Sequence, residues 1–156
     1  PAPDFLLVLD GLRDPGNLGT ILRTAAAAGV QAVLLSPGCV DPYSPKVVRS
    51  AMGAHFRLPV LAQSWPEIGD TLASAGAAGR LRLFLAEARG GIPYTQADFR
   101  PPVALAVGGE ARGTGVEAQE LAMERVCIPM PGQVESLNAA IAAAILLFEV
   151  VRQRSH

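Results

Sequence analysis

The chain has 156 residues, half of them apolar, and a formal net charge of −1. That suits a single domain over residues 1–156 with a sizeable core, and it excludes a disordered or repetitive chain. The longest strictly apolar run, the ten residues 139–148, falls short of the roughly 18–20 that a bilayer span requires.

Charge and cysteine usage narrow the class further. The pI near 6.2 lacks the basic footprint usual in nucleic-acid binders. The first sixty residues nevertheless hold five basic groups (Arg13, Arg23, Lys46, Arg49 and Arg57) against four acidic ones. Cys39 and Cys127 form no C-x-x-C pair, and His55 and His156 are too few for a metal site. A reduced, metal-free, cytoplasmic protein is expected.

In chain order, apolar runs at 5–9, 31–35, 56–60, 81–86, 103–107 and 125–129 read as buried strands. Helix-like segments at 18–28, 44–52, 65–75 and 116–123 fall between them, and a last helix is expected from about Leu137 to Arg152. Gly29 reads as the stop of the first helix. The pattern predicts an α/β domain: a mostly parallel sheet of about six strands with helices on both faces.

Ligands of such sheets gather at the carboxyl ends of the strands, which singles out three polar, glycine-bearing loops. In the first, "DGLRDPGNLGT", Asn17 reads as a helix cap, and Arg23 is a lone charge in an apolar helix that would reach the surface along its stem. The second, "GGEARGTG", lacks the lysine of a P-loop. Its Gly113-x-Gly115-x-x-Ala118 fits a loose dinucleotide fingerprint, which keeps a nucleotide-cofactor oxidoreductase as an alternative. In the third, "PMPGQVES", Ser136 reads as the cap of the final helix, leaving Asn138 in its first turn without a structural reason.

Together these loops resemble the three motifs of the SpoU (TrmH) family of S-adenosylmethionine-dependent RNA methyltransferases, within the SPOUT superfamily. The matching stretches are "LDGLRDPGNLGTILRTAAAAGV", "ALAVGGEARGTG" and "CIPMPGQVESLNAAIAAAILLFEVVRQR". "SPKVVRSAMGAHFRLPV" is similar to the ribosomal-RNA branch of the family. The likeness spans nearly the whole chain, departing at Ala111, where a glycine is usual, and in the residues after Asn138.

The resemblance implies a C-terminal trefoil knot and a homodimer whose interface includes the last helix. It implies methyl transfer from S-adenosylmethionine to a ribose 2′-OH of RNA, ribosomal more than transfer RNA. By the same likeness Arg23 is the catalytic arginine, Asn17, Ser136 and Asn138 orient it and the ribose, and Glu110 pairs with one of them or ties down the knot loop. Val107, Gly108, Ile128, Met130 and Leu137 would hold the donor. A chain beginning at Pro1 reads as trimmed of an upstream RNA-binding domain and is expected to methylate poorly alone. A non-catalytic RNA-binding module is the other alternative, against which the intact polar set speaks.

Overall fold

The computed structural model describes residues 2–76, 81–109 and 113–155. One sheet holds β1 (Phe5–Asp10), β2 (Ala32–Leu35), β3 (Val60–Ala62), β4 (Arg82–Glu87), β5 (Ile92–Pro93), β6 (Val103–Gly108) and β7 (Glu124–Cys127). Its order is β3-β2-β1-β6-β4-β7-β5, and every described pairing is parallel. The described helices are α1 (Pro15–Ala28), α2 (Pro45–Ala51), α3 (Trp65–Ser74), α4 (Val116–Leu121) and α5 (Ala139–Arg154).

Side-chain alternation sorts the core into two layers. Phe5, Leu7 and Leu9 of β1 join Val103, Leu105 and Val107 of β6 beneath α1, α2 and α5. Leu6, Val8, Ala104 and Ala106 face the other way, against Ile68 and Leu72 of α3 and Ala118 of α4. Central strands buried on both faces explain why they read as unbroken apolar runs.

Two expectations about strands are corrected. The run 56–60 is not a strand: residues 54–56 form a 3-10 turn, and β3 covers only Val60–Ala62. Pro59 has no N–H to give the ladder, and only its carbonyl takes part, accepting from Val33 N at 2.9 Å. The seventh strand, β5, lies at the sheet edge and is two residues long, too short to leave a periodic signal. Its proline suits an edge position.

Helix starts also move. The cap of α1 is Asp14, whose Oδ2 accepts from Asn17 N at 2.7 Å, with Pro15 in the first turn. Asn17 is therefore three residues inside, not the cap. Gly29 closes α1 with φ 85°. For α5 the cap is Asn138 rather than Ser136: its Oδ1 accepts from Ala140 N at 2.8 Å and Ile141 N at 3.2 Å.

The far end of α5 clamps the chain around it. Gln153 Oε1 accepts from Phe99 N at 2.7 Å, and Arg154 donates to the carbonyls of Phe99, Pro101 and Asp4. Glu149, buried on the same helix, accepts two bonds from Arg152 at 2.7 and 2.8 Å. That guanidinium holds its carboxyl below the usual range, against the opposing cost of burial.

Candidate active site

The parallel strands deliver their carboxyl ends to one edge, and a cavity of about 410 Å³ opens there. It lies within the roughly 300–1,000 Å³ usual for small-molecule sites. Val107 and Gly108 come from the end of β6, Ile128 and Met130 from the chain leaving β7, and Leu137 from the approach to α5. All five residues that the resemblance assigned to the donor thus line a single cavity, joined by Ser136.

The wall at Gly108 admits no side chain, because a Cβ there would overlap the Gly113 carbonyl and approach Thr114 N to 2.7 Å. The end of β6 therefore packs backbone to backbone against residues 113–114 beside the cavity. Two carboxylates, Glu87 and Glu135, stand among the lining residues. An apolar slot with acidic groups suits a flat heterocycle bearing a cationic tail. Among the described residues no three His, Cys, Asp or Glu side chains come together as metal ligands would.

Beside this cavity the N-termini of α1 and α5 meet. Asn138 Nδ2 donates to Asn17 Oδ1 at 3.2 Å, across 121 positions of sequence. The amide of Asn138 is thus used twice, its oxygen capping α5 and its nitrogen holding Asn17. Two helix N-termini of 14 and 16 residues converge here, which places partial positive charge at one spot.

Arg23 lies two turns further along α1, exposed, and no described residue bonds its guanidinium. It is not among the cavity lining, and neither are Asn17 and Asn138. Glu110 lies outside the described residues, as does Arg112 beside it.

Sequence reasoning passed over Asp10, which ties three strand ends together. Its Oδ2 accepts from Gly115 N at 2.7 Å, its Oδ1 from Ser36 Oγ at 2.9 Å, and its carbonyl from Gly109 N at 2.9 Å. It thereby holds both ends of the 109–115 loop against β1, while Ser36 Oγ in turn accepts from Gly11 N at 3.0 Å. The available signal was an acid directly after an apolar run, at the last position of β1; Glu87 carries the same signal at the last position of β4. Beneath the first loop, Cys39 Sγ accepts from Leu12 N at 3.3 Å, and burial pushes its thiol pKa up. That is a structural thiol rather than a reactive one.

Residues 4–148 match the model of the SpoU rRNA Methylase family. The chain belongs to this family. The 23S rRNA (guanosine(2553)-2'-O)-methyltransferase RlmP of Bacillus subtilis is 39% identical over 145 residues, covering 93% of this chain and 57% of that protein. The 23S rRNA (guanosine-2'-O-)-methyltransferase RlmB of Xylella fastidiosa is 43% identical over 157 residues, covering 97% of this chain and 59% of that one. The SpoU methyltransferase AviRb of Streptomyces viridochromogenes, solved in complex with the cofactor AdoMet, superposes with a TM-score of 0.91 at 34% identity, over 99% of this chain and 62% of that one. This SpoU chain spans about half the length of the curated relatives it matches.

Proposed function

We propose that this SpoU chain transfers a methyl group from S-adenosylmethionine to a ribose 2′-OH of ribosomal RNA. One observation carries the reading: a cavity lined by Val107, Gly108, Ile128, Met130 and Leu137, next to the Asn17–Asn138 junction. When bound, S-adenosylmethionine supplies a methyl group on a cationic sulfur, an electrophile awaiting an oriented oxygen. Val107, Ile128 and Leu137, with the backbone around Gly108, would hold its purine end, and the carboxylates of Glu87 and Glu135 would offset its positive charge.

A guanidinium stays protonated in proteins, so Arg23 acts here as a cation rather than as a base. It grips the target phosphate and stabilises charge developing on the attacking 2′-oxygen, while that phosphate takes the proton. Asn17, Asn138 and Ser136 orient Arg23 and the ribose, and the family likeness gives Glu110 the part of pairing with one of them or tying down the knot loop. The same reading has the C-terminal segment tucked through a loop to form a trefoil knot. It also has two copies paired through the outer face of α5, where Ile141 and Phe148 are 54% and 45% exposed. One catalytic domain acting in the cytoplasm completes it.

Calorimetric titration separates the roles. The chain is expected to bind one S-adenosylmethionine, and Arg23→Ala to bind it equally while losing methyl transfer by about 100-fold or more. Binding of a nicotinamide dinucleotide in its place, or turnover surviving Arg23→Ala, contradicts the assignment.

A further inference from the structure

The segment from Pro42 to Pro66 holds three of the thirteen Lys and Arg residues and none of the fourteen Asp and Glu residues. It also carries the most exposed large apolar side chain described: Phe56 at 95%, with Met52 at 68% and Tyr43 at 63%. Exposed apolar side chains set among cations stand out on a slightly acidic chain. Nothing described packs on Phe56, although Ala54 and Leu58 on either side of it are buried.

The backbone presents this surface rigidly. His55 Nε2 lies 2.7 Å from the Pro42 carbonyl, which can only accept, so the ring nitrogen donates. The same ring packs on Tyr43 with centroids 5.4 Å apart. Met52, 68% exposed, has φ 53°, the only positive φ among described non-glycine residues and a conformation unfavourable for any side chain. Where α2 crosses α1, Gly19 meets Ser50 and the Val47 carbonyl, and Arg23 lies one turn along the same face of α1.

We propose that Tyr43, Met52 and Phe56, with Lys46, Arg49 and Arg57, form a platform that stacks and grips single-stranded RNA flanking the target nucleotide. The inference rests on the chain being an RNA methyltransferase and adds where the strand is held beyond the reacting ribose. Unstacked bases bind exposed rings through their faces, and nearby cations hold the phosphates. A second copy of this chain fits less well, since a two-fold contact would bring the same three cations against their mates.

The test is fluorescence anisotropy of the chain with a labelled single-stranded RNA of about 12 nucleotides, in the range such platforms cover, alongside S-adenosylmethionine titration and measurement of mass in solution. Phe56→Ala should weaken RNA binding at least about fivefold. Lys46→Gln with Arg49→Gln should reduce the slope of log K against log salt by about 1.4, or roughly 0.7 per cation on a single strand. Met52→Gly relieves the backbone, so it should melt no lower than wild type yet bind RNA more weakly. Donor affinity and mass should stay unchanged in all three. Wild-type RNA affinity in these variants overturns the inference while leaving the methyltransferase reading standing, and a change of mass assigns the surface to self-association instead. A wild-type chain that binds neither RNA nor donor overturns both.

Discussion

Asn138 does two jobs with one amide, and they separate by substitution. Asn138→Ala removes the α5 cap, worth about 1 kcal/mol, and should lower Tm by about 2–4 °C for a chain of this size. Asn138→Asp keeps an acceptor for the Ala140 and Ile141 N–H groups but has no donor for Asn17. It should melt near wild type and still lose methyl transfer; full activity would show that the link to Asn17 is not needed. At this scale the sequence misled in an instructive way. Asp14 and Asn17, then Ser136 and Asn138, are all good capping types within three residues of each other. Only the helix geometry decides which oxygen faces the free N–H groups, and it moved the cap at both starts.

At the scale of elements, the α1–α2 crossing depends on Gly19. Alanine is the better helix former by about 1 kcal/mol, but a Cβ there would stand 2.8 Å from the Val47 carbonyl oxygen, which as backbone cannot rotate away. Overpacking costs about 1–3 kcal/mol, so Gly19→Ala should lower Tm measured by thermal unfolding; an unchanged or raised Tm would mean that the helices slide apart freely. The clamp at the end of α5 makes a pH prediction. Because Arg152 holds Glu149 below its ordinary value of 4.5, the pair stabilises the fold above that value. The contribution drains away as pH falls through the lowered folded value. Thermal melts between neutral and acid pH should show Glu149→Gln losing stability at neutral pH and closing the gap with wild type in acid. Parallel curves would deny the linkage.

For the molecule as a whole, most of the sheet was legible because its strands are continuous apolar runs set between helices. The 3-10 turn at 54–56 and the two-residue β5 were not, since neither has enough residues to show a period. Strand order was beyond the sequence as well: β6 sits between β1 and β4, a placement that no local pattern encodes. The residues proposed to hold the donor were legible through the resemblance alone, whereas the contact between Asn17 and Asn138 joins positions 121 apart and required the fold. Asp10, which fastens the second loop, looked like an ordinary strand end. The central claim, methylation of a ribose in ribosomal RNA, is tested most directly by mapping 2′-O-methyl positions in RNA from cells lacking the protein. One ribosomal position should lose its mark, regain it with the wild-type gene, and stay unmarked with Arg23→Ala. An unaltered ribosomal pattern, a loss confined to transfer RNA, or rescue by Arg23→Ala would contradict the account.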